Sequence, residues 1–405
     1  MITALREWKD RLLGRGDAAI TVPVFDGALK SNNLLEEAAV WARLDAPEDL
    51  ATDGQSLFVA DGATVLRFDP ADRSASASVV HRFDATVTAL ACLPGSGSGS
   101  GSGSESGNRG LAVALDGREV RIVGGVHDGR RWDAVAGKPL HAVNAISAGS
   151  DGRLVATDGS REHPAAHWKH DLMGLGRSGR LIELNPADGS ARELASGLAH
   201  AFGACAVADV AGGSAGVSTG ASAGSAAGGT VWVSESWRHR VMAFGAGQTA
   251  RAVTDSLPGY PSRITPASAE QGGGFWLTCF TLRTQLVEFV LREPTFRKRM
   301  LAQIEPQYWI APALNSGNTF LEPMQGAQLK MMGIVKPWAP PRSYGLVVRL
   351  SPEGRVRYSL HSRFDGKHHG VVAAVECRGD LFVLAKGCGR ILRLSVAGAE
   401  RSLQA

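Results

Sequence analysis

A three-strand pattern returns six times along this chain, and few folds accept such a repeat. Each copy reads as a small-apolar strand, a turn, a second apolar strand and a third strand in which Arg alternates with apolar residues. The copies run through 48–54, 57–60 and 65–68; 87–92, 111–114 and 119–123; 144–146, 153–157 and 180–184; 202–207, 230–234 and 240–244; 262–264, 275–277 and 345–350; and 371–375, 380–384 and 390–394. Fourth strands are visible at 76–80, 192–194, 251–253 and 355–360. Short runs of this kind bounded by glycine turns read as strands. Repeated sheets of about four strands are the signature of a β-propeller, which is one domain despite its length. The predicted fold is therefore all-β, a six-bladed propeller over 18–400. The sixth copy has no fourth strand of its own, and the run 20–24 is expected to supply it and close the ring.

The uneven spacing of the copies comes from insertions. In a propeller, loops between blades and loops between second and third strands share one face, and loops between first and second strands lie on the other. The Ser/Gly tract 94–109 and the Gly/Ser/Ala tract 211–229 join first to second strands and read as inert, flexible loops on the back. The insertions 161–177 and 280–343 join second to third strands on the front, and carry His, Trp, Tyr, Met and basic residues. Long loops of that composition are functional or act as lids. Leu282, Leu286, Phe289, Met300, Leu301 and Ile304 predict an amphipathic helix in this lid, with Arg292, Arg297, Lys298 and Arg299 on its solvated side. Leu5, Trp8, Leu12 and Leu13 predict a second one over 1–17, packed on the domain.

Apolar residues make up 44% of the 405, enough for a large core, and the net charge of +4 is too small and dispersed for a nucleic-acid partner. Five cysteines without a CxxC pair read as reduced thiols of a cytoplasmic protein. The N-terminal residues lack the apolar run of a signal peptide, and no window is long enough to span a membrane. Contact with a membrane surface is not expected, because Lys and Arg do not dominate the polar face of the first helix. No Gly-x-Ser-x-Gly elbow occurs, and the Gly-rich stretches lack the strand-to-helix context of phosphate loops.

The residue opening each inner strand should point into the mouth of the central channel. Those positions are Glu48, Val87, Asn144, Phe202, Ser262 or Arg263, and 369–371. The densest polar cluster is His163, His167, His170 and Asp171, spaced four and three apart. On a helical turn three of them share a face, which suits a metal or a proton shuttle; a solvated His-rich loop is the plainer reading. His369, just before the sixth inner strand, can approach the same mouth, or satisfy a turn.

Several stretches resemble the strictosidine synthase-like and gluconolactonase superfamily of six-bladed propellers. They are Leu257, Pro258, Gly259, Tyr260 and Pro261 before Ser262, Arg263 and Ile264; Pro47 and Glu48 in the first copy; 152–158 in the third; and Glu235 with Arg240, Val241 and Met242 in the fourth. The resemblance implies a small organic substrate at the channel mouth and hydrolysis of an ester or lactone. The alternatives are a carbon–nitrogen synthase or lyase of the strictosidine type, and a non-catalytic ligand-binding propeller. In the metal-dependent members a Glu, two Asn and an Asp hold calcium. Glu48 and Asn144 match two of them, while Phe202 and Ser262 replace the others, so calcium and other cofactors are not expected. The glutamate of the plant synthases falls near Val372. Glu48, His170 and Asp171 are the candidates for acid–base work; Asn144, Phe202, Ser262, Arg263, His163, His167 and His369 are those for substrate contact. Arg263 is expected either to take the cation position and pair with Glu48, or to point away, since neighbouring strand residues face opposite sides.

Overall fold

Second strands such as Leu111–Leu115 and Gly-turn partners such as Leu57–Asp61 are apolar along almost their whole length, because a blade's middle is covered on both faces by its neighbours. Outer strands such as Ala77–Arg82 are exposed throughout. The computed structural model describes residues 22–72, 74–94, 109–207, 229–245, 249–316, 330–331, 334–335 and 343–404. In it the strands form six antiparallel four-stranded blades. The inner strands are Pro47–Thr52, Val87–Cys92, Val143–Ala148, Ala201–Val207, Gly259–Pro266 and Val371–Cys377, and each packs on the next, the sixth on the first. The chain is a six-bladed β-propeller. The second blade carries an outer strand, Arg131–Trp132, that its sequence does not announce.

The closing strand differs from the expected one. Ala39–Arg43 pairs antiparallel with Arg390–Ser395, with Ala39 opposite Arg393 and Arg43 opposite Arg390. Residues 22–24 are not in a strand, Val24 is 69% exposed, and 20–21 lie outside the described residues. The reason is packing. Trp41 lies against Phe68 of the first blade and Phe382 of the sixth, with ring centroids 5.3 and 4.9 Å away. No comparable side chain is available at 22–24. The 1–17 helix and most of both low-complexity tracts also fall outside the described residues.

A carboxylate recurs at the end of the second strands. Asp61, Asp158 and Glu235 accept the backbone N–H of Ala46, Ala142 and Ala199, the residues leading into the inner strand of the same blade. Asp116, one residue past its strand, does the same for Thr86. In the third and fourth blades an Arg opening the third strand completes the clamp: Arg180 on Asp158, both fully buried, and Arg240 on Glu235. Each clamp fixes an entry to the front face.

The predicted lid helix is two helices. Thr284 caps Gln285–Arg292 by accepting from Val287 N–H, and Pro294 opens Pro294–Gln303, where a missing N–H costs nothing. The break redistributes the faces. Phe289 and Ile304 are exposed, and Arg297, expected in solvent, is buried and donates to Leu291 O at 2.8 Å. The first lid helix is tied to the body through Glu288, whose Oε1 lies 3.2 Å from His239 Nε2 and 3.2 Å from Arg283 Nε. Burial pushes the Glu288 carboxyl up, but the hydrogen bond and charge of His239, with Arg283, outweigh it and leave it at about 2.

Two predictions follow from these contacts. Trp41→Ala should cost about 2 kcal/mol, below the range for a fully buried Trp because this one is half-buried, as read from urea denaturation. Since the Glu288 pKa is depressed on folding, its stabilisation is present above the ordinary carboxylate range and is lost as pH falls toward 2. Glu288→Gln should remove that pH dependence and speed amide exchange across 285–292, without changing exchange in the inner strands.

Candidate active site

Every inner strand is bulged near its start, and the bulges decide what faces the channel. The pairing register skips at Glu48, Thr88, Asn144, Phe202 with Gly203, Ser262 with Arg263, and Val372. A bulge re-aims a side chain out of strict alternation. Glu48, Thr88, Asn144, Phe202, Arg263 and Val372 accordingly line one cavity of about 540 Å³. Trp168 from the 161–177 insertion and Leu314 from the lid line it too, as do His200, Asp116, Arg118, Lys386 and Phe280, which the structure places in the fifth blade's second strand Phe275–Leu282 and not in the lid. In the second blade the mouth residue is Thr88 and not Val87, which is fully buried. In the sixth it is Val372, one residue beyond the expected span.

Arg263 reaches the channel axis, and its partner is Asp49 rather than Glu48. Arg263 Nε lies 2.8 Å from Asp49 Oδ1, and Nη2 donates to Thr88 O at 2.9 Å and Asn144 O at 2.6 Å. Its Cζ sits 5.3 Å from the centre of the Phe202 ring. Asp49 also accepts the N–H of Leu50 and of Leu90. Burial raises the Asp49 carboxyl to about 6, against the lowering by Arg263 and the two N–H donors. Glu48 is instead ion-paired with Lys386, from the turn after the sixth blade's second strand. The expected Arg263–Glu48 pair fails because the bulge at Glu48 turns that side chain up toward the mouth, leaving Asp49 at the level of the guanidinium.

Ser262 does not face the mouth. Its hydroxyl meets Thr278 Oγ1 at 2.7 Å between the fifth blade's strands and is fully buried. A calcium site of Glu, two Asn and Asp does not fit these residues. Of the expected ligands Glu48 is committed to Lys386, Asn144 turns its amide nitrogen to Ala201 O, and the others are a phenyl ring and a buried hydroxyl. A guanidinium and an ammonium already supply the positive charge.

The His163–Asp171 cluster is split. Asp171, buried on the helix Trp168–Gly174, faces away from the other three: its Oδ2 accepts Trp237 Nε1–H at 2.7 Å and lies 3.4 Å from His200 Nδ1. Burial pushes its carboxyl up, but the hydrogen bond and charge of His200 and the bonds from Ser160 and Trp237 win, and it stays below the usual range. Gly176 is required here, since a Cβ at that position would strike the Asp171 carboxylate. His170 packs edge-on against Trp309 of the lid at 4.8 Å and meets the tilted rings of His167 and His163 at 5.1 and 5.9 Å; burial and the charges of its neighbours push it down. None of these three lines the cavity, and among the described residues no group of His, Cys, Asp and Glu is arranged to hold a metal ion. His369 is a satisfied turn residue, bonded to Ser343 Oγ at 2.7 Å and Arg363 O at 2.8 Å.

The residue that sequence reasoning missed is His200. It lies between the third blade's outer strand and the fourth inner strand, in a left-handed conformation (φ 58°) uncommon for a non-glycine residue. Trp237 stacks on its ring at 4.3 Å. Its Nε2 is 3.4 Å from Asn144 Nδ2, and its Nδ1 faces Asp171. A nitrogen that receives an amide N–H carries no proton, so the imidazole proton belongs on Nδ1, toward Asp171. Gly159 leaves the room for this contact, since a Cβ there would overlap the Asn144 amide. The available signal was position, two residues before Phe202.

The Asp49 pKa is raised on folding, so the native state binds this proton more tightly. Its contribution is greatest below the unfolded value of 3.8 and is lost as pH rises through about 6. Arg263→Met removes the one cation opposing that rise. It should destabilise the fold by about 3 kcal/mol and extend the loss of stability to higher pH in melting curves. Adding Asp49→Asn should recover most of the loss; a double variant as unstable as the single one would contradict the pairing.

No protein-family model and no curated protein matches the chain. Among solved structures it is similar to a gluconolactonase from Xanthomonas campestris, at 15% identity over 93% of this chain and 95% of that one, with a TM-score of 0.49. A putative gluconolactonase is 11% identical over 89% and 91%, with a TM-score of 0.48. A luciferin-regenerating enzyme is 13% identical over 89% and 92%, with a TM-score of 0.46. No helix among the described residues is long and apolar enough to cross a membrane. The chain's own strand pairing makes it a six-bladed β-propeller.

Proposed function

We propose that this propeller hydrolyses a small ester or lactone bound in the front cavity, with His200 as general base. The observation that carries the reading is the chain Asn144–His200–Asp171 on the cavity wall. A buried carboxylate orients the imidazole, and Nε2 acts as the base once the attacking water takes the place of its long 3.4 Å contact with Asn144 Nδ2. Water between His200 and the substrate carbonyl would give a proton to Nε2 as its oxygen bonds to the carbonyl carbon. Collapse of the tetrahedral intermediate would break the acyl C–O bond, and the imidazolium would return the proton to the leaving alkoxide. Lys386 and Arg263 are already paired with Glu48 and Asp49, so they would offer the oxyanion only a background positive field and not a free hydrogen-bond donor. Glu48 positions Lys386, and Asp171 holds the tautomer. His170 has no direct part in this scheme.

A non-catalytic ligand-binding role is the second reading. It is favoured by the fact that Glu48 and Asp49 are both already neutralised by cations, so neither is a ready nucleophile. The two readings separate in a screen of aryl esters and five- and six-membered lactones. Under the hydrolase reading His200→Gln should lower kcat by about a thousandfold with little change in KM. Asp171→Asn should lower it by a smaller factor. Turnover that survives His200→Gln would remove the histidine from the mechanism, and binding without turnover would favour the second reading.

A further inference from the structure

The cavity wall carries three cations, and two are spent on the protein itself. Lys386 is paired with Glu48, and Arg263 is held by Asp49 and two backbone carbonyls. Arg118 makes no side-chain hydrogen bond or ion pair with any described residue, although it lines the same space. It is exposed, but its backbone is fixed. Leu115, Asp116, Gly117 and Arg118 form a tight hairpin turn with Asp116 at φ 50° and Gly117 at φ 68°, closed by Arg118 N–H on Leu115 O at 2.9 Å. Gly117 packs so closely that a Cβ there would approach Val143 N to 3.0 Å. The acidic groups on the same wall are Glu48, already paired, and Asp116. The Asp116 carboxylate is turned to Thr86 N–H at 3.0 Å and forms no ion pair with Arg118. Facing these groups are the apolar surfaces of Trp168, Phe202, Phe280, Leu314 and Val372.

We infer that the cavity binds molecules with an apolar body and a carboxylate, and that the free guanidinium of Arg118, presented by a rigid turn, anchors the carboxylate. A guanidinium fork matches a carboxylate bidentately, and a charge-assisted hydrogen bond is worth more than a neutral one. For turnover this rests on the hydrolase reading and narrows it to esters or lactones with a second, ionised carboxyl. For binding it stands alone. Arg118 is a specificity residue and is not placed in the bond-making step.

The test compares p-nitrophenyl hydrogen glutarate with neutral p-nitrophenyl butyrate. The wild-type protein should show the lower KM for the glutarate. Arg118→Ala should raise that KM by about three- to tenfold, the range for a partly solvated charge pair, leaving kcat and the butyrate kinetics unchanged. Arg118→Lys should retain part of the preference and Arg118→Glu should reverse it. Asp116→Asn, which keeps an acceptor for Thr86 N–H, should tighten the glutarate. Equal KM values for the two esters, or the same effect of Arg118→Ala on both, would overturn the inference and leave the hydrolase reading intact. If neither ester is turned over, calorimetry with glutaric acid monoanilide and its methyl ester decides it. Preference for the acid that disappears in Arg118→Ala upholds the carboxylate anchor without hydrolysis. Equal binding, or none, overturns it.

Discussion

One guanidinium on the axis holds the inner ring together. Arg263 comes from the fifth blade and touches the inner strands of the first four: Asp49, Thr88 O, Asn144 O and the face of Phe202. A propeller's inner strands converge on a channel where backbone carbonyls and any inward carboxylate would otherwise lose solvent without partners. A single planar group with several donors satisfies them from the centre. Oxygen donors around a bound cation could do the same; here the cation belongs to the chain.

The rest of the ring is stitched by hydroxyls that reach from one blade to the next. Thr157 donates to Phe202 O, Ser234 to Ser262 O, Thr278 to Val372 O and Thr265 to Ala374 O. The first three of these bonds sit at or beside the bulges, so groups that hold neighbouring blades together also fix where the mouth residues aim. The carboxylate clamps at Asp61, Asp116, Asp158 and Glu235 work one layer higher, on the loops entering the inner strands. His200 follows directly from the last of these: Glu235 accepts the N–H of Ala199, and Ser236 N–H donates to His200 O. The strained backbone at His200 is thus held from both sides, which suits a residue whose ring must sit between Asn144 and Asp171.

Both front-face insertions contribute to the cavity, as their composition and position implied. His170 of the first insertion packs on Trp309 of the second, with ring centroids 4.8 Å apart, so the two insertions meet. The lid's attachment through Glu288 and His239 is separate from the cavity and rests on a different blade connection. The Glu288–His239 tie can therefore be removed without deleting a residue that lines the cavity.

The sequence by itself determined six blades, their order, most strand positions and the face on which the 161–177 and lid insertions lie. Those are consequences of period-2 apolar runs and turn residues, which are local. It also placed Glu48, Asn144 and Phe202 at the mouth, because position within a repeat is read along the chain, but it left Ser262 and Arg263 as alternatives, and the structure puts Arg263 there. The tertiary structure decided everything that depends on which side of a bulge a residue falls. One extra residue in a strand exchanges inward for outward, which is why Thr88 and not Val87 faces the mouth, and why Arg263 meets Asp49 while Glu48 goes to Lys386. It also chose Ala39–Arg43 to close the ring, because Trp41 fits between Phe68 and Phe382, a fit between residues far apart in sequence. And it separated Asp171 from the histidines beside it and set it against His200, which comes from the next blade. Sequence spacing gives the candidates for a charged partnership; only the packing of blades sets which charges come within reach.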